Sequence, residues 1–106
     1  MKIYISGKII GDPDYKRKFE RAATAISSLG HTPINPALLP EGLSETDYMR
    51  LSFAEIDAAD MVLFLDDWKE SGGAALERTY CQYIWKPYGK YTRFLEKHGI
   101  SIMEEG

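Results

Sequence analysis

The sequence holds one cysteine, two histidines and no excess of positive charge, and each shortage excludes something. A lone thiol, Cys81, rules out an internal disulfide framework and fits a reducing compartment. His31 and His98 stand far apart, and no His, Cys or Asp spacing resembles a metal site, so no metal or redox cofactor is implied. Lysine and arginine number 13 against 16 aspartates and glutamates, a net charge of −3, and the basic residues are scattered. That excludes a broad nucleic-acid face, which shows as a basic patch or stripe. It leaves room for a small anionic ligand held by a few local donors. No apolar stretch approaches the roughly 20 residues of a membrane span. The opening Met1-Lys2-Ile3-Tyr4-Ile5 runs straight into strand-like sequence without the pattern of a signal peptide, so the expected location is cytoplasmic.

What is present is an alternation of short apolar strands and amphipathic helices. At 106 residues, 44% of them hydrophobic, the chain reads as one domain over 1–106 with a single modest core. β-Branched and aromatic residues predict a first strand over 2–6, ended by Gly7. Residues 7–14 form a loop. Phe19, Ala22, Ala23, Ile26 and Leu29 predict a helix over 15–29, with Asp12 or Asp14 as its cap and Gly30 just past its end. A second strand spans 32–35 and stops at Asn35-Pro36. Ser44 with Asp47 signals a helix start, and Met49, Phe53 and Ile56 carry that helix to about 58. Residues 60–65 are apolar throughout, as suits a strand covered on both faces. A third helix is predicted over 74–85, with Leu76, Tyr80, Tyr83 and Ile84 on its packed side. Pro87 and Gly89 interrupt, the helical period resumes from Tyr91 through Phe94, Leu95 and His98, and Gly99 closes it. Residues 100–103 read as a fourth strand. The fold expected is a flavodoxin-like (Rossmann-like) α/β sheet, open and parallel, about four strands in the order 2-1-3-4 with helices on both faces.

In such a sheet ligands bind beyond the carboxyl ends of the strands, where the strand order reverses. The loops there begin at Gly7 and at Asp66. Gly7, Lys8 and Gly11 can make an anion-binding concavity, or simply a glycine-bearing turn from strand to helix. Glu77 lies four residues after Gly73, near a helix start. There the dipole favours its charged form, whether as a nucleophile or merely as a match to the dipole. Asp66 and Asp67 are candidates for handling a leaving group, with turn capping as the alternative. Trp68 can stack on a planar base or cover the edge of the core. Cys81 reads as packing. Tyr80, Tyr83, Tyr88 and Tyr91 cluster around Trp85, which suggests either a self-association surface or a second core face.

With Tyr4-Ile5-Ser6-Gly7, Ile34-Asn35-Pro36-Ala37 and Ser71-Gly72-Gly73-Ala74-Ala75-Leu76-Glu77 in view, residues 1 to about 80 resemble the nucleoside 2-deoxyribosyltransferase-like superfamily. The nearest likeness is to its short, uncharacterised bacterial and phage branch. The resemblance implies a glutamate nucleophile at Glu77, oriented by Tyr4, that displaces the base of a nucleoside or nucleotide and forms a glycosyl ester. Water or a second base then resolves the ester, giving hydrolysis or transfer. Ser71, six residues before Glu77, resembles the nucleotide N-hydrolase branch, where a serine contacts the 5′-phosphate. Ser6, Gly7, Lys8, Gly11, Asn35, Trp68, Ser71 and Gly73 are thereby implied around the substrate, and Asp66 and Asp67 near the base. A small-molecule nucleoside or nucleotide is the partner expected, with no nucleic acid and no membrane. A homodimer or higher homo-oligomer is implied as well. A catalytically silent nucleotide-binding module of the same fold is the alternative.

Overall fold

The computed structural model describes residues 1–99. Four strands, β1 (Lys2–Ser6), β2 (Thr32–Ile34), β3 (Met61–Phe64) and β4 (Tyr88–Lys90), alternate with four helices, α1 (Tyr15–Ser28), α2 (Glu45–Ala58), α3 (Gly72–Ile84) and α4 (Tyr91–Lys97). The strands form one parallel sheet in the order β2-β1-β3-β4, the flavodoxin-like α/β arrangement expected. The chain leaves β1 toward one edge and β3 toward the other. The order therefore reverses between these two central strands, and the loops that follow them lie side by side.

Alternation along β1 sorts its side chains between two cores. Ile3 and Ile5 face Phe19, Ala22 and Ile26 of α1, with Tyr91 and Phe94 of α4 closing that layer. Tyr4 faces the opposite layer, with Ile56 of α2, Val62 and Phe64 of β3 and Cys81 of α3. Cys81 is fully buried, and its thiol is pushed up to about 11 chiefly by that burial, as befits a packing residue.

The helix ends follow local chemistry. Ser44 Oγ accepts the Asp47 amide at 3.1 Å and starts α2. Gly30, at φ +87°, takes the left-handed position beyond α1. Neither expected aspartate caps α1. Asp14 stands at the cap position with no side-chain bond to the helix. Asp12 Oδ1 instead accepts the Asp14 amide at 2.9 Å, and its other oxygen accepts from Lys18 Nζ at 2.6 Å.

The last third departs from expectation at β4 and at α3. Pro87 and Gly89 flank and enter a strand, β4, where they read as an interruption. Its pairing of Val62 with Tyr88 and Phe64 with Lys90 is a tertiary effect that overrides the turn-like composition. The strand expected at 100–103 lies outside the described residues. Helix α3 turns Ala74, Glu77 and Cys81 inward, while Leu76 and Tyr83 are exposed. The aromatic cluster is accordingly divided. Tyr80 stacks on Phe53 with ring centroids 4.2 Å apart, Tyr88 meets Phe64 edge-on, and Tyr91 joins a core. Tyr83 and Trp85 point to solvent, Trp85 at 91% exposure.

Candidate active site

Residues i and i+2 of a strand share a face, so Tyr4 and Ser6 both project toward α3. Helix α3 is fixed at its start by Ser71, whose Oγ accepts the Ala74 amide at 3.1 Å. One turn beyond Ala74, Glu77 points back at the sheet and retains 7% of its exposure. Tyr4 Oη donates to Glu77 Oε2 at 3.1 Å, and Ser6 Oγ donates to Oε1 at 2.6 Å. Ser52, buried on α2, places a third hydroxyl close enough to pull the Glu77 carboxyl down. Each carboxylate oxygen is thus held by a hydroxyl, which fixes its position without neutralising its charge.

Burial nevertheless dominates the electrostatics. The Glu77 carboxyl is pushed up to about 7 by desolvation, against the opposing pull of Ser6, Tyr4 and Ser52, and the neighbouring Glu55 adds to the rise. The helix dipole does not reverse this. Glu77 is the sixth residue of α3, and the dipole's influence falls off within the first turn. Tyr4 is raised well above its ordinary value, first by burial and then by Glu77, so it stays a neutral donor.

The loops after β1 and β3 are tied together on the carboxyl side of the sheet. Leu65 N donates to Ser6 O at 2.8 Å, and Lys8 N donates to Asp67 Oδ1 at 3.0 Å. Lys18, reaching up from α1, donates to Lys8 O, Asp12 and Asp67. Lys8 Nζ lies 3.8 Å from Glu70 across the two loops. Gly7 allows this closeness. A Cβ there would come within 2.9 Å of Leu65 Cδ1 and 3.2 Å of Asp67 Oδ1. Gly7→Ala is therefore expected to cost about 1–3 kcal/mol of stability, the usual effect of forcing atoms into a packed site. Urea unfolding checks this, and an unchanged midpoint would show that the two loops are free to separate.

Asp67 therefore binds the neighbouring loop, whereas Asp66 is exposed to solvent. Trp68 covers the core edge. It meets Phe64 edge-on at 5.8 Å, and the Arg78 guanidinium lies 5.1 Å above its ring and 5.6 Å from that of Tyr88. Asn35 Oδ1 accepts the Ala37 amide at 2.9 Å, capping the 3-10 turn Pro36–Leu38. Asn35 also lines a groove of about 940 Å³ between α1 and the 33–41 segment, to which Tyr4, Ser6, Ser52 and Glu77 contribute nothing. Gly73 sits beside Met49 and Ser71 at ordinary contact distance, and Gly11 takes φ +84° at the turn before α1. Among the described residues no three His, Cys, Asp or Glu side chains converge as metal ligands do.

The structure thus brings Tyr4, Ser6 and Glu77 into direct contact, and Gly7, Lys8 and Asp67 into a second cluster beside them. Sequence reasoning passed over Ser52, Glu55, Lys18 and Arg78.

This parallel α/β sheet has a counterpart among solved structures. The fold is that of a 2-deoxyribosyltransferase from the psychrotolerant bacterium Bacillus psychrosaccharolyticus, described as a biocatalyst for nucleoside synthesis. The two superpose with a TM-score of 0.65 at 23% identity, over 83% of this chain and 69% of that one. Residues 1–88 match the family described as domain of unknown function DUF4406, and the chain belongs to that family. No curated protein matches the sequence.

Proposed function

We propose that this protein cleaves or transfers at the N-glycosidic bond of a (deoxy)nucleoside or nucleoside 5′-monophosphate, with Glu77 as nucleophile. The observation that carries the proposal is the buried Glu77 carboxyl held at both oxygens by Tyr4 and Ser6. A retaining displacement needs a carboxylate fixed in place and shielded from water. Glu77 attacks the anomeric carbon, the C1′–N bond breaks, and its electron pair leaves with the base, which takes a proton from solvent. Water or a second base then displaces Glu77 from C1′ and regenerates the carboxylate. Tyr4 orients Glu77 throughout.

The substrate side falls to the two loops and the start of α3. Ser71 uses a lone pair for its cap and keeps its hydroxyl proton to donate outward. Lys8 Nζ, joined to Glu70 only at 3.8 Å, is available to an anionic group. Tyr83, Trp85 and Leu76 form the exposed face on which a second copy would pack.

One observation favours a silent binding module instead. A carboxyl pushed up to about 7 is only partly ionised at neutral pH. Incubation with a panel of deoxynucleosides and their 5′-monophosphates, read by mass spectrometry for free base and protein adduct, separates the readings. Base release from any panel member supports the enzyme, and the preferred member fixes the phosphate question. Intact substrates with a ligand-induced rise in Tm move the conclusion to the binder.

A further inference from the structure

The loops after β1 and β3 meet at Lys8, whose backbone and side chain are held unequally. Its amide donates to Asp67 Oδ1 at 3.0 Å and its carbonyl accepts from Lys18 Nζ at 2.8 Å, so the backbone is pinned between both loops and α1. Its stem lies along the turn at Gly11, where an added Cβ would sit 3.7 Å from Lys8 Cε. The ammonium itself has one ion-pair partner among the described residues, Glu70 at 3.8 Å. Asp67 and Asp12, the other carboxylates of this region, are engaged by Lys18. The pair is lopsided, since the Lys8 side chain is 28% exposed and that of Glu70 is 68% exposed. A confined cation is thus covered by a carboxylate on a loose arm. Exposed pairs of this kind contribute little to stability, so Glu70 is readily displaced.

Glu70 is next to Ser71 in the chain and within reach of Lys8, the two residues proposed for the phosphate side. We propose that Glu70 is a specificity-determining residue: its carboxylate occupies Lys8 in place of a substrate phosphate, and so sets how strongly the site prefers a nucleoside 5′-monophosphate to the free nucleoside. The proposal rests on the reading that this site takes a nucleoside or its monophosphate. A phosphate monoester is the stronger partner for an ammonium, with a charge of about −1.5 to −2 near neutrality and three acceptor oxygens. It must nevertheless push aside a carboxylate of its own sign, and like charges a few ångströms apart oppose binding. A nucleoside brings no charge to repel and gains nothing from Lys8. Glu70 therefore weakens one form of the substrate and leaves the other as it is, which is discrimination by repulsion.

The test is Glu70→Gln, which keeps the length of an exposed side chain and removes its charge. Affinity for each deoxynucleoside of the panel and for its 5′-monophosphate is measured by calorimetry at low ionic strength, with base release alongside. The ratio of the two affinities is expected to move about fivefold toward the monophosphate in Glu70→Gln. Added salt is expected to shrink that gain, because the pair is exposed. With Lys8 already replaced by glutamine, Glu70→Gln is expected to move the ratio less. Glu96→Gln, which removes the same charge near the end of α4, is expected to leave it in place. A merely structural Glu70 would weaken both ligands together and keep the ratio constant. An unchanged ratio in Glu70→Gln overturns the proposal, as does an equal shift in Glu96→Gln or a failure of Glu70→Gln to bind any monophosphate. Should the parent release no base from any panel member, the glycosidic reading fails by itself. The affinity ratio still decides the role of Glu70.

Discussion

Glu77→Gln is expected to abolish base release, a fall of at least about a thousandfold, and at the same time to make the folded protein more stable above pH 7. The first effect follows from the nucleophilic role proposed for Glu77. The second follows from linkage. Burial lifts the folded-state value of Glu77 from 4.5 to about 7, so between those pH values the folded chain binds more protons than the unfolded one. Its contribution is fully present below about 4.5 and is lost as pH rises through 7. A shift of that size corresponds to about 3 kcal/mol held against the native state at high pH. Glutamine remains neutral and keeps an oxygen for Tyr4 or Ser6, so it escapes this cost. Thermal unfolding at pH 8 is expected to show a higher Tm for the variant, with the two curves converging near pH 4.5. A variant that still releases base removes Glu77 from the mechanism. A variant less stable than the parent at pH 8 would mean that the three hydroxyls outweigh burial.

Lys18→Met is expected to destabilise the protein by about 2 kcal/mol and to depress base release together with it. Lys18 and Asp67 are each only about a quarter exposed, at 26% and 23% of their side chains. Methionine retains the apolar length of the side chain and removes its charge. Asp67 would then keep only the Lys8 amide, and Lys8 O and Asp12 would each lose a donor. In a chain of this size such a loss lowers Tm by roughly 10 °C. Asp67→Asn combined with Lys18→Met should recover part of it, because no unpaired charge is left behind. A Tm within a degree or two of the parent would show that Lys18 is a surface ion pair of ordinary, small effect.

The first three strands in the chain were legible because each is a short run stopped by glycine, proline or paired carboxylates. β4 was not. Tyr88-Gly89-Lys90 carries no strand pattern of its own, and it becomes one only because β3 offers an open edge beside it. The inward turn of α3 was misjudged for a related reason. Periodicity puts Leu76 and Tyr83 on one side of the helix with Tyr80 and Ile84, but the side turned inward carries Glu77, where hydroxyls from β1 make the inside habitable for a carboxyl. Tyr4 and Glu77 were found through a resemblance of motifs. Ser52 and Glu55 were not, since a serine or glutamate on a helix is ordinary until the partner across the gap is known.

The two outermost strands of the sheet have a bearing on how copies of this molecule can meet. β2 and β4 are three residues each, β2 contains Pro33, which has no amide hydrogen to offer, and β4 ends in Lys90. Short borders broken by proline and charge give an incoming strand little to pair with. The sheet is thereby discouraged from growing sideways into fibres. Association between copies is left to side-chain surfaces that can be matched one at a time.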